Sequence, residues 1–500
     1  MTHTRDVHPL SDRIAKVLEL APGANAVEFE GKWHSWGQLA ELAHPIASIM
    51  SGYTASQRPQ VGVLLRNRPV HVAALLGVLL GGGCLVTISP ARGDDRTRAD
   101  IAALRLPMII GEPTDLANLA GPEPCTAQVA LTGIDGALEV VSAQQPLSEP
   151  ESSRPGVAVR MLTSGTTGPP KRVDLTYEML ARSLFGAKHY ESSASTDLRI
   201  RSGVAIVNSP LVHIGGVFRV LQCVADARSF VLLERFDVNR WAEAVRKYRP
   251  RAASLVPAAL RMVLHADLAR SDLDSIRAVV SGTAPLSPDD ADAFTEKYGI
   301  PVLTSYAATE FGGGVAGWTL EDHNKYWRSK HGSVGRAHPD SQLRVVDDGG
   351  NPLGADQPGL LEVRPGQLGP SADWIRTTDL ARIDSDGFVW ILGRADQAII
   401  RGGFKVIPDD VRAALESHPA VEGAAVIGIS DARLGETPGA VVELLAGQSL
   451  TAERLVEFLG ARLARYEIPT DIKIVDKIPR TPSGKPDLSE VRRLLAVDAR

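Results

Sequence analysis

Between residues 203 and 310 the chain alternates short apolar runs with stretches of helical periodicity. The pattern predicts strands at 204–207, 230–233, 253–256, 278–280 and 302–305. Helices fall between them at 216–227, 241–248, 258–268 and 289–298. Ser287-Pro288 opens the last helix as an N-cap followed by proline in the first turn. Short strands alternating with helices of about ten residues predict a parallel sheet with helices on its faces. Ligands of such folds sit beyond the carboxyl ends of the strands. Those ends carry Ser209-Pro210 with His213, Val256-Pro257, Ser281-Gly282-Thr283-Ala284, and Ser305-Tyr306 with Glu310. Four loops are thereby directed toward one site.

Elsewhere the pattern changes. Residues 72–80 are apolar all round and read as a buried helix turning through Gly81-Gly82-Gly83 into a buried strand at 85–88. Residues 146–155, rich in Ser, Pro and Glu, read as a surface loop or tether. After Ser341, strand-like segments at 342–346, 359–363 and 388–392 are punctuated by Asp347-Asp348-Gly349-Gly350 and Asp384-Ser385-Asp386-Gly387, both hairpin turn signals. From Pro408 a compact α/β pattern follows: helix 408–417, strands 424–429 and 439–444, helix 452–465, strand 472–475 and helix 488–495. Gly393-Arg394-Ala395-Asp396 marks the boundary between a large part, 1–395, and a small one, 396–500.

Composition narrows the function. The chain has 500 residues, 44% of them hydrophobic, with 54 Lys plus Arg against 59 Asp plus Glu. A net charge of -5 supplies no general basic surface for nucleic acid, though it leaves room for a local basic pocket. No apolar run reaches the roughly 20 residues that span a bilayer, and residues 1–20 lack a signal-peptide core. The three cysteines Cys84, Cys125 and Cys223 form no CxxC pair, which disfavours a disulfide scaffold or zinc site and suits a reducing cytoplasm.

The sharpest chemical feature is Thr163-Ser164-Gly165-Thr166-Thr167-Gly168-Pro169-Pro170-Lys171. Glycines let such a loop turn tightly and present N–H groups, hydroxyls and one lysine to phosphate oxygens. It does not match a Walker A loop, because two prolines precede the lysine and Arg172 follows it. The string resembles the phosphate-binding signature of the AMP-forming adenylating enzymes, the superfamily of acyl-CoA synthetases, adenylation domains and firefly luciferase. Five further segments resemble that family's motifs in family order: Tyr306–Glu310, Gly332–Arg336, Arg376–Leu380, Gly393–Asp396 with Gly402–Lys405, and Pro479–Lys485.

The resemblance implies an α/β fold. Its large N-terminal domain would have stacked, mostly parallel sheets with helices and a β-rich subdomain; its C-terminal domain would be small, mobile and α+β. It implies that Glu310 and Thr166 take Mg²⁺, with Thr309 on the α-phosphate. Tyr306 would stack on adenine, flanked by Gly282, Thr283 and Ala284 with Ser305 and Ala307 nearby. Asp379 would accept from the ribose hydroxyls, Arg394 would add a ribose or phosphate contact, and Lys485 would bridge substrate carboxylate and α-phosphate. Asp396 would be the hinge, and Gly402, Gly403 and Phe404 would line the CoA tunnel. Pro210, His213, Gly216, Val256, Gly312, Gly313 and Gly314 are candidates for the acyl pocket, with His213 either a gate or a carboxylate partner; the triple glycine suggests room on one wall. ATP, Mg²⁺ and coenzyme A are the implied cofactors, a fatty, aromatic or alicyclic acid the substrate, and a homodimer is left open. A carrier-protein acyl-AMP ligase, a luciferase-like oxygenase and a non-catalytic nucleotide-binding homologue remain alternatives. Ala307 and Thr378 stand where the family usually has glycine, and are strained if those positions need φ > 0; a helical or extended backbone that asks only for a small side chain removes the difficulty.

Overall fold

The computed structural model describes residues 7–51, 59–121, 127–135, 138–142, 155–163, 171–186, 198–401, 404–431, 433–481 and 484–496. Most of the 146–155 tether falls outside them.

Residues Pro69–Leu80 form a helix in which every residue from Pro69 to Leu79 is buried, as expected of a segment without a polar face. It packs on the helix Trp36–Ser51 so closely that a Cβ on Gly77 would lie 2.8 Å from the Ala43 carbonyl oxygen. Beneath it runs a seven-stranded sheet with the parallel core Ala127–Leu131, Met108–Gly111, Gln60–Leu64, Cys84–Ile88 and Val157–Thr163. Antiparallel strands Leu138–Ser142 and Lys171–Thr176 close its two edges. Cys84 and Cys223 are buried thiols.

The stretch 203–310 does not build one sheet, which corrects the expectation. Arg201–Val207 and Arg228–Leu232 join Asn25–Phe29 in a separate, largely parallel sheet ended by antiparallel Lys32–Ser35. Ala252–Ser254, Ala278–Ser281 and Val302–Ala308 pair in parallel in another, continued antiparallel by Gly313–Gly317 and Arg336–Ala337. The partner that captures Arg228–Leu232 lies some two hundred residues upstream, beyond any local pattern. The two sheets still meet at their carboxyl ends, where Asn208 donates to the Ser254 carbonyl at 3.1 Å.

Several element ends shift. Asp237 caps the helix Val238–Tyr248 by accepting from the Arg240 N–H at 2.9 Å, so that helix starts a turn early. Pro257–His265 ends before 268, and Ala452–Gly460 stops at its glycine rather than running to 465. Ser287 is the N-cap of Pro288–Tyr298, but its side chain makes no capping bond.

Gln342–Val346, Gly359–Arg364, Ile375–Ile383 and Val389–Arg394 form an antiparallel four-stranded meander. At its last turn Gly387 adopts φ +82° and donates to the Asp384 carbonyl. The small C-terminal part wraps the helices Pro408–Glu416, Ala452–Gly460 and Leu488–Ala496 around a sheet centred on the long antiparallel pair Val421–Asp431 and Gly435–Leu444. No helix among the described residues is long and apolar enough to cross a membrane.

Candidate active site

The third sheet and the meander converge on one group of side chains. Tyr306, near the end of Val302–Ala308, donates its hydroxyl to Asp379 of Ile375–Ile383. Burial, then the facing carboxylate, pushes the Tyr306 phenol well above its ordinary range, so it stays a donor. Burial also raises the Asp379 carboxyl, against the pull of Tyr306 and Arg394. Strand register sets Arg394 opposite Asp379. Arg394 grips Asp396 with two hydrogen bonds of 2.9 and 2.7 Å and donates a third, 2.7 Å, to the Thr378 hydroxyl.

Ala307 and Thr378 lie in strand backbone, and neither is among the residues of positive φ. They need no glycine. The strained position is instead Thr283, a non-glycine at φ +74° in the Gly282-Thr283-Ala284 turn. Gly282 does need to be glycine, since a Cβ there would lie 2.6 Å from Ser305 Oγ. So does Gly335, at φ +90°, whose Cβ would lie 2.2 Å from the Gly317 carbonyl. Thr309 and Glu310 occupy a short 3₁₀ turn after the strand, with the Glu310 carboxylate exposed.

Lys485 comes to this same place from the far end of the chain. Burial and then the Arg394 charge lower its pKa, while Glu310 and Asp379 pull it back up. His213, at the N-cap of Ile214–Ala225, is pushed down to about 4 by burial and by Lys485. Its buried Nε2 has no hydrogen-bond partner among the described residues. The structure thus brings together His213, Tyr306, Glu310, Asp379, Arg394 and Lys485 from four separate regions. Beside them a cavity of about 1210 Å³, bordered by Thr87, His213, Asp396, Lys485 and Arg492 among others, separates the large and small parts.

Thr163 and Lys171 face each other across paired strands. Ser164, Gly165, Thr166, Thr167 and Gly168 between them lie outside the described residues, as do Gly402 and Gly403. Phe404 is exposed and stacks on Tyr466 of the small part, with ring centroids 4.7 Å apart. Among the described residues no group of three or more His, Cys, Asp or Glu forms a metal cage. A lone exposed carboxylate such as Glu310 suits Mg²⁺, which takes one or two protein carboxylates and completes its shell with phosphates and water.

The space beside the three glycines is partly filled by neighbouring side chains. A Cβ on Gly312 would lie 2.9 Å from Met179 Cε, and one on Gly314 would lie 3.2 Å from His338 Cε1. Gln367 donates to the Gly314 carbonyl at 2.7 Å. Met179, Gln367 and His338 thus take up part of the room. Gly216 is likewise glycine for packing, since its Cβ would sit 2.1 Å from the Pro210 carbonyl oxygen. Pro210 and Val256 are half-buried at their strand ends. Arg172, noted in the sequence as following the loop lysine, is a buried side chain that donates to Asp100 at 2.6 Å and to the Thr87 carbonyl at 3.1 Å, contacts the sequence did not foretell.

The family model described as AMP-binding enzyme matches residues 14–370, and that of the AMP-binding enzyme C-terminal domain matches 410–485. The chain is 29% identical to an indoleacetate–CoA ligase of Aromatoleum aromaticum, over 97% of this chain and 98% of that protein. It is 32% identical to a 2-succinylbenzoate–CoA ligase of a Geobacillus species, over 68% of this chain and 69% of that one. The crystal structure of ATP-bound MatB from Rhodopseudomonas palustris superposes with a TM-score of 0.79 at 22% identity, covering 97% of this chain and 98% of that chain. With the matched models spanning most of its length, the chain belongs to the AMP-binding enzyme family.

Proposed function

We propose that the protein is an AMP-forming acyl-CoA ligase acting on an aromatic or arylalkanoic acid. In the first half-reaction a carboxylate oxygen of the acid attacks the α-phosphorus of ATP. The bond to the bridging oxygen breaks, pyrophosphate leaves and an acyl-adenylate forms. In the second, the sulfur of CoA attacks the acyl carbonyl, the thiol proton is lost, and AMP departs with the electron pair of the cleaved C–O bond. The observation that carries this reading is Lys485, a half-buried ammonium on the wall of the cavity that His213 and Asp396 also border, within the fields of Glu310, Asp379 and Arg394. Two anions must meet for the first step, and a positioned cation offsets their repulsion.

Asp379 and Arg394 would hold the ribose, Tyr306 and the 282–284 turn the adenine, and the 163–171 loop the phosphates. Glu310 would hold Mg²⁺ with the triphosphate, and the ion would supply charge neutralisation there. His213, kept neutral by its surroundings, would offer its Nε2 to the acid or its adenylate. Residues 1–395 and 396–500 would act as two domains hinged at Asp396, with Lys485 leaving and Gly402–Phe404 approaching before thiol attack. The acid class is supported by relatives named as indoleacetate–, 4-coumarate– and 2-succinylbenzoate–CoA ligases. Its buried thiols Cys84 and Cys223 suit the reducing cytoplasm.

The test is pyrophosphate release with aromatic, fatty and alicyclic acids, followed by detection of the CoA thioester. Release strongest with aromatic acids and thioester formation support the reading. Release with fatty acids alone overturns the acid class, adenylation without thioester overturns the acceptor, and no acid-dependent release overturns the enzyme.

A further inference from the structure

A second charged cluster, outside every residue assigned above to substrate, joins the large part to the small one. Arg261, on the helix Pro257–His265, donates through Nε to Asp290 at 2.6 Å and through Nη2 to Glu416 at 2.6 Å. Asp290 belongs to the large part, on Pro288–Tyr298; Glu416 ends the helix Pro408–Glu416 of the small part. Arg412 donates to the same Glu416 oxygen at 2.7 Å and to Asp409 at 3.1 Å, and the other Glu416 oxygen accepts from the Ala424 N–H at 3.2 Å. The Arg261 and Glu416 side chains are only 12% and 5% exposed.

Removing one partner from a buried ion pair usually strands a charge and is costly. Here each side keeps a partner of its own. If the small part withdraws, Arg261 retains Asp290, and Glu416 retains Arg412 and the Ala424 N–H. The seam is arranged to open without leaving a bare buried charge, which a permanent structural bridge does not require. Its closed state coincides with the pose in which Lys485 sits among Glu310, Asp379 and Arg394.

We propose that the Arg261–Glu416 ion pair is a reversible clasp between the two parts: closed, it holds Lys485 in the site for adenylation, and it opens for thiol attack. Arg261 and Glu416 are positioning residues, and the proposal rests on the two-step reading above. The test uses the full chain and an acid found by the release screen. ATP–pyrophosphate exchange reports the first half-reaction; thioester formation from synthetic acyl-adenylate and CoA reports the second. Arg261→Gln is expected to lower exchange about tenfold, the small end of what close interfacial charge pairs contribute. Thiolysis should stay at or above the wild-type rate, and Arg261→Lys should recover part of the loss. Glu416→Gln reaches the same bond from the other side and should give the same split if Arg261→Gln fails to fold. A parallel fall in both half-reactions, or unchanged exchange, overturns the clasp. A wild-type protein that performs neither half-reaction overturns the underlying reading, a result separate from the variants' behaviour.

Discussion

Restoring the family's glycine at position 378 should weaken the protein, because Thr378 works where it stands. It lies within the strand Ile375–Ile383, and its hydroxyl accepts from Arg394 at 2.7 Å while the rest of that guanidinium grips Asp396. Glycine in a strand interior costs about 0.5–1 kcal/mol. A hydrogen bond to a charged group contributes about 1.5–3 kcal/mol. The Arg394 side chain is 36% exposed, so solvent screening brings that contribution down to about 1 kcal/mol. Thr378→Gly should therefore lose about 2 kcal/mol, and Thr378→Val, which keeps the branched strand residue, about 1 kcal/mol. Both free Arg394 to swing, so AMP affinity measured by calorimetry should fall several-fold in each. Thermal unfolding should rank wild type above Val above Gly. A glycine variant as stable as wild type that binds AMP as tightly or more tightly would refute the reasoning.

Two other expectations are independent of that one. Gly216→Ala places a methyl 2.1 Å from the Pro210 carbonyl oxygen, and overpacking of this kind costs about 1–3 kcal/mol; the melting temperature and acid KM should both change, since the displaced loop carries His213. His213 and the fully buried His71 are held down to about 4 and about 3, against an ordinary 6.5. Between the folded and ordinary values the unfolded chain binds more protons, so the stability these groups contribute is complete above pH 6.5 and is lost as pH falls toward those values. The slope should be about 1 kcal/mol per pH unit for each histidine, read from urea unfolding between pH 7 and 4.5, and His71→Leu should flatten it.

The motifs were legible because they are distinctive strings in a fixed order: Tyr306, Glu310, Asp379, Arg394 and Lys485 all stood out by residue type and position, and the fold brings them together. Three of the four meander strands and the longer strands of the C-terminal part were also readable, since alternation and Asp-Gly turns are local signals; Ile375–Ile383 was read only as a motif, and the short strands Ile399–Arg401 and Phe404–Val406 were not predicted. Sheet membership was not legible, because Asn25–Phe29 captures Arg228–Leu232 across two hundred residues of chain. The surroundings of the glycines were not legible for the same reason: whether a missing Cβ makes room or makes contact depends on Met179, His338 and Pro210, which no window around Gly216 or Gly312 fully reveals. The Arg261–Glu416 bond had no sequence signal at all, since arginine and glutamate on helices are ordinarily solvated.

The central claim is that an ammonium from the chain's end serves the first half-reaction alone. Lys485→Ala, compared with wild type for ATP–pyrophosphate exchange and for thiolysis of supplied acyl-adenylate, tests it most directly. Exchange should drop by about 10²-fold or more, the usual cost of removing a group that stabilises developing charge, while thiolysis persists. Equal loss of both half-reactions, or exchange that survives the substitution, would contradict the account.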